Sequence, residues 1–155
     1  MTSFRASGAS TGRSAKPQRL CLDCMRAVLA SETRCACGGK IERFDSSAEA
    51  RHFCTLKLRE RAGEIFALRC HPRFELNVRP NGYNGHEGVH VCYYSPDFSY
   101  VENDRVLGHA TTIHIDVKPF RKGKDGVKKP ILTPEAALKI KLFEALYQAK
   151  VRFVE

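Results

Sequence analysis

The sequence predicts an α/β (α+β) domain preceded by a small cysteine-rich module, and three observations carry that reading. From Thr111 to Lys118, the residues Ile113, Ile115 and Val117 alternate with His114, Asp116 and Lys118, the period of two expected of a half-buried strand. Helix start signals stand at Asp45-Ser46 and again at Thr133-Pro134-Glu135. Four of the seven cysteines fall within seventeen residues near the N-terminus. A hydrophobic content of 43% over 155 residues suits one core with an appendage.

Charge bounds the partners. The net charge is +9 and the pI near 9.4, which favours a polyanion such as nucleic acid; a basic surface also serves solubility alone. From Lys118 to Glu155 ten Lys/Arg stand against four Asp/Glu, so this part carries +6 of the +9. No apolar run approaches the roughly 20 residues that span a bilayer, and the first nineteen residues lack the apolar segment of a secretory signal. The expectation is a cytoplasmic protein with no membrane partner.

In chain order, residues 1–19 hold Arg5, Arg13, Lys16 and Arg19 among small polar residues and no acid, which predicts a disordered basic tail. Residues 20–40 follow as Cys21-x2-Cys24 and Cys35-x-Cys37-Gly38-Gly39. Two thiolate pairs on tight turns can close a tetrahedron around Zn²⁺, and the two glycines permit such turns. Disulfides are the alternative, disfavoured without a secretion signal. The reading is a zinc ribbon with Cys21, Cys24, Cys35 and Cys37 as ligands. Four cysteine ligands leave no open position, so its role is structural. Cys54, Cys70 and Cys92 read as ordinary buried cysteines.

Residues 41–155 are expected to form the main domain. A helix runs from Asp45-Ser46 to about Ala62 with Gly63 as its stop, and Ala50, Phe53, Cys54, Leu58 and Ala62 form its apolar stripe. Glu49 fits a capping box with Ser46, yet it lies on the flank of the buried face, where it could join a metal site. Arg73 to Val78 alternates as a strand, and the Asn-Gly pairs of 79–85 mark a loop. Val89 to Glu102 reads as a strand interrupted at Pro96, which cannot donate to a ladder. Asp97 then sits on a polar face at a distortion. A turn at Asn103-Asp104 leads into the Asp116 strand, a hairpin that could set Asp97 beside Asp116. The segment 120–132, with Arg121, Lys122, Lys124, Lys128 and Lys129, reads as a loop placed to hold a phosphate backbone. Thr133 caps a second helix with a stripe of Leu138, Leu142, Ala145 and Leu146, and 150–155 closes as a strand.

Asp97, Asp116 and Lys118 together make the grouping a metal-dependent phosphodiesterase needs: carboxylates for a divalent cation and an ammonium beside the attacked phosphate. The order helix, three strands, helix, strand, with Pro96-Asp97 and Asp116-Val117-Lys118 on adjacent strands, resembles the PD-(D/E)XK nuclease superfamily. The stretches 44–50, 62–65, 72–76, 116–118 and 139–143 are similar to a phage and prophage family within it, long of unknown function and regarded as endonucleases. This likeness covers about Ile41 to Glu155. It implies a restriction-endonuclease-like core and a catalytic set of Glu49, Asp97, Asp116 and Lys118. Asp116 stands where many members carry Glu, and at His71 related proteins often carry Gln.

The resulting expectation is a DNA endonuclease dependent on Mg²⁺ (or Mn²⁺), since hard oxygen ligands suit these ions. Asp97, Asp116 and the carbonyl of Val117 hold the metal, and Glu49 assists. Lys118 orients the attacking water, and DNA lies along Arg121, Lys122, Lys124, Lys128, Lys129 and Lys139. By analogy with small phage enzymes in a bacterial host cell, branched DNA or a Holliday junction is the substrate, which requires a homodimer. The alternatives are a zinc-ribbon DNA-binding protein on a nuclease fold that does not cut, and a scaffold whose basic face serves protein partners.

Overall fold

The computed structural model describes residues 18–81, 88–103, 109–124 and 126–155. They form a mixed α+β protein, mostly strands with two helices, in two compact units, Met1–Ser47 and Ala48–Glu155. No described helix is long and apolar enough to cross a membrane. Arg5, Arg13 and Lys16 of the expected tail lie outside the described residues.

In the first unit β1 (Gln18–Cys21) pairs antiparallel with β2 (Ile41–Phe44), Gln18 opposite Phe44 and Cys21 opposite Ile41. The tail expected through Arg19 is therefore ordered from Gln18. Arg19 has a structural use, donating to the carbonyls of Leu29, Ala30 and Glu32 at 2.7, 2.9 and 3.0 Å, which ties the intervening loop to β1. Since β2 completes the ladder begun by β1, the boundary expected after Lys40 falls after Ser47. Cys21, Val28 and Cys35 make the small core, with Ile41 packed on it.

The second unit opens with α1 (Ser47–Arg61). It stops as the sequence indicates: Gly63 takes φ +71, and the amides of Gly63 and Glu64 return to the carbonyls of Glu60 and Arg59 at 3.0 Å each, a Schellman closure. The buried stripe is Glu49, Ala50, Phe53 and Leu56, which corrects the expected one; Leu58 is 57% exposed. Near the end of the helix the Glu60 carboxylate accepts from the amide of Leu68 at 3.0 Å, so the helix meets the next strand there through an acid.

The main sheet runs β10-β7-β6-β3. β3 (Ile65–Cys70) was not anticipated, because a bulge between Phe66 and Arg69, with Ala67 at φ +53, breaks its alternation. β6 (Phe98–Asn103) pairs antiparallel with both β3 and β7 (Ala110–Val117). β10 (Val151–Val154) pairs parallel with β7. On one face Phe98 lies opposite Ile115 and Tyr100 opposite Ile113. α1 covers this face through the His52–Phe98 ring contact at 5.7 Å and Arg59, which lies over Tyr100. The other face carries Ser99, His114 and Asp116.

The strand expected over Val89–Glu102 is two strands in two sheets. β5 (Val89–Tyr94) pairs with β4 (Phe74–Val78), and the chain crosses into the main sheet at Ser95-Pro96-Asp97. The basic segment is also more ordered than expected: β8 (Phe120–Lys122) and β9 (Lys128–Pro130) form a hairpin. α2 (Pro134–Tyr147) begins as predicted, with the Thr133 hydroxyl accepting from the Ala136 amide at 3.2 Å. It buries Ile140 and Phe143, whereas Leu138 is 62% exposed and Leu146 41%. The phase is set by the aromatic wall of Phe74, Tyr94 and Phe143, whose rings meet at 4.9 Å. The turn at Asp104 and the loop tip 82–85 lie outside the described residues.

Candidate functional site

Two groups of metal-ligating residues stand out among the described residues, one in each unit. In the first unit the sulfurs of Cys21, Cys24, Cys35 and Cys37 all lie within 4.8 Å of one another, with Cys21–Cys37 at 3.4 Å and Cys24–Cys35 at 3.5 Å. Zinc with Zn–S bonds of about 2.3 Å sets its sulfurs about 3.8 Å apart, so the thiols stand close to the geometry of a tetrahedral ion. Gly38 takes φ +82, and a Cβ on Gly39 would sit 2.6 Å from the Cys21 sulfur and against the Asp23 carboxylate; here the backbone itself forms the cradle. The Cys37 amide, helped by the neighbouring thiols, lowers the Cys35 thiol to about 6. Against the pull of the Gly39 amide, the sulfurs of Cys21, Cys35 and Cys24 push Cys37 up to about 12. A thiolate crowded by thiols is the state from which a metal such as zinc displaces protons.

The second group is built on strand ends. β6 and β7 run antiparallel with Phe98 opposite Ile115, which sets Asp97 next to Asp116. The Asp97 amide donates to Asp116 Oδ1 at 3.2 Å and the Val117 amide to Asp97 Oδ2 at 2.6 Å. Lys118 Nζ lies 3.5 Å from Asp97 Oδ2 and 3.8 Å from Asp116 Oδ2. The three residues singled out from the sequence thus meet. Val117 takes part through its amide, on the carboxylate of Asp97.

Glu49, at the start of α1, and His71, just past β3, bring ligand atoms within 4.8 Å of Asp97 and of each other. His71 holds φ +48, and its amide donates to the Asp97 carbonyl at 2.9 Å. A left-handed backbone on a residue with a side chain is strain that the surroundings must hold; here it turns the imidazole toward the acids. An octahedral ion with bonds of about 2.1 Å spaces its ligands roughly 3.0 to 4.2 Å apart, so a small contraction of Glu49, His71 and Asp97 would enclose one.

Tyr94 is the other participant that sequence reasoning missed. Its hydroxyl donates to Asp116 Oδ2 at 3.0 Å. On a continuous strand Tyr94 and Asp97 would point apart; the crossing at Pro96 brings Tyr94 over the acids from the β4–β5 sheet. Each Asp116 oxygen thus has a donor and keeps a further lone pair.

Burial pushes the Asp97 carboxyl above its ordinary value, with Glu49 adding to the rise and Lys118, the Val117 amide and His71 opposing it. Burial likewise raises Asp116, opposed by Lys118 and reinforced by Asp97. Burial and then the Asp116 charge push Tyr94 up, keeping it a hydroxyl donor. Packed acids with raised values are a feature of functional sites, and a bound cation would restore their charge.

A cleft of about 400 Å³ opens on the site, lined by Ser95, Asp116, Lys118, Glu135 and Lys139 among others. Lys139 therefore stands at the cleft, paired with Glu135 at 2.6 Å. Arg121 and Lys122 on β8, Lys128 and Lys129 on β9, and Lys124 between them are all exposed, directly after Lys118. Lys128 is shared with Glu155 at 3.3 Å.

No curated protein and no solved structure matches the chain. A family model described as "Protein of unknown function (DUF1064)" matches residues 38–154, most of the chain, which therefore belongs to that family.

Proposed function

We propose that the chain is a metal-dependent DNA endonuclease with a restriction-endonuclease-like core and a structural zinc ribbon. The observation that carries the reading is the meeting of Asp97, Asp116 and Lys118 with Glu49 and His71, drawn from different elements. Carboxylates and an imidazole gathered around one point, with an ammonium 3.5 Å from the nearer acid, form a donor set for Mg²⁺ or Mn²⁺, and the imidazole nitrogen makes Mn²⁺ the better match. The ion, when bound, offers Lewis-acid polarisation of a phosphoryl oxygen and of a water.

The chain's own groups do the rest. Asp97 and Glu49 bind and orient the ion, and Asp116, fixed by Tyr94, the Asp97 amide and Lys118, supplies further negative charge. Lys118 Nζ orients the attacking water and offsets charge gathering on the phosphate. The water oxygen bonds to phosphorus as the bond from phosphorus to the 3′ oxygen breaks. The water gives up a proton to solvent as it attacks and the 3′ oxygen takes one up, leaving 5′-phosphate and 3′-hydroxyl ends. Lys139 at the cleft and the β8–β9 hairpin offer cations to the DNA backbone. Phage or prophage DNA metabolism, with a branched substrate and a homodimer, fits this chemistry.

The test is cleavage of plasmid, linear duplex and four-way-junction DNA with Mg²⁺ or Mn²⁺. Asp116→Ala and Lys118→Ala should each lower the rate by roughly 10²–10³-fold. Activity that survives both substitutions would overturn the assignment. DNA binding with no metal-dependent turnover in the wild type would point to a non-cleaving binding protein.

A further inference from the structure

The register of the main sheet places a second polar row beside the acids. Arg69 lies opposite Ser99, and Ser99 opposite His114. Asp97 and Asp116 lie two residues further along β6 and β7, about 7 Å away at the rise of a strand. This row sits on the face that the aromatic wall otherwise covers, where apolar side chains would pack best. Ser99 is 7% exposed and His114 5%. The Nδ1 of His114 is buried without a partner, with the rings of Phe74 and Phe143 against the imidazole at 5.2 and 5.0 Å. Among the described residues neither the Arg69 guanidinium nor the Ser99 hydroxyl meets a protein partner.

All three line a groove of about 580 Å³, together with Phe74, Tyr147 and Gln148, a volume typical of small-ligand sites, which span roughly 300–1,000 Å³. The groove has two chemical ends. Arg69 supplies a forked cation suited to a phosphate. The opposite end is the C-terminus of α2, closed by Gln148 at φ +50 with no basic residue in its last turn, where the negative end of the helix dipole favours N–H donors. Between them stand the flat rings of Phe74 and Tyr147.

We propose that this groove binds a nucleoside 5′-monophosphate group, with its phosphate on Arg69 and Ser99 and the donor edge of its base toward the end of α2. The group is either a free nucleotide or the 5′ end of a DNA strand held beside the acid site. The DNA source rests on the endonuclease reading; the nucleotide chemistry does not.

Titration calorimetry on the full chain, with no Mg²⁺ or Mn²⁺ added and any ribbon zinc left in place, separates the two. Deoxyadenosine monophosphate should bind at least tenfold more tightly than deoxyadenosine or inorganic phosphate. Arg69→Gln should weaken it about tenfold and the near-isosteric Ser99→Ala severalfold, and the ligand should shift the His114 ring resonances. A 5′-phosphorylated single strand binding above its 5′-hydroxyl counterpart identifies the DNA end as the source; equal binding of the two strands identifies the free nucleotide. The proposal is overturned if the nucleotide does not bind, if inorganic phosphate binds as tightly, or if both variants bind undiminished. Nucleotide binding in a chain that cuts no DNA leaves the groove standing and removes only the endonuclease.

Discussion

Asp116 is sealed at 3% exposure, and burial raises both its carboxyl and that of Asp97. The folded chain thus holds those protons more tightly than the unfolded one. Stability from this source is present below the ordinary carboxylate value and is lost as pH rises through the raised value. With no Mg²⁺ or Mn²⁺ added, Asp97→Asn should therefore raise the Tm at pH 7, by roughly 2–4 °C for each kcal/mol of relief, and the gain should vanish in acid; a lower Tm than wild type at pH 7 would contradict this. In the other unit, Gly39→Ala drives a methyl into the Cys21 sulfur. Metal analysis should find about one zinc per chain in the wild type and clearly less in the variant. Asp97, Asp116 and Lys118 were legible in the sequence because a strand fixes which face each leaves. Tyr94 was not, and His71 stood out only through the family resemblance: one reaches the site across a chain crossing between sheets, the other through a left-handed backbone, and neither has a periodic signature.

At the scale of elements, termini were read more accurately than faces. Gly63 and Thr133 bound their helices as their local chemistry dictates. The stripes of α1 and α2 were misphased, because the partners that select a face are distant in sequence. Near the end of α1 the Glu60 carboxylate satisfies the Leu68 amide that the β3 bulge leaves unpaired. Glu60→Ala should lower stability by about 1 kcal/mol, since a half-exposed amide falls back on water, and urea unfolding measures it. An unchanged midpoint would mean the bulge closes without help. The same bulge hid β3 from its sequence, whereas β7, paired without a register shift, showed its pattern openly.

Across the whole molecule the charge is uneven, and the excess follows Lys118. If the β8–β9 hairpin lies on phosphates, each contact adds about 0.9 to the slope of log affinity against log salt. The double substitution Arg121→Ala, Lys122→Ala should then flatten that slope by about 2 in anisotropy titrations of DNA with the Asp116→Ala chain; an unchanged slope means that the hairpin carries no phosphate contacts. One connection in the sheet bears on how the protein is made. The amide of Lys118 donates to the carbonyl of Val154 at 2.8 Å, and among the described residues β10 is the strand that pairs on that side of β7. Asp97, Asp116 and Lys118 are thus translated before the strand that covers this side of β7, and a chain stalled short of Val151 exposes β7 as an edge. Such a nascent chain would tend to stick to its neighbours through that edge, although the β6–β7 pairing that sets Asp97 beside Asp116 is already contained in it.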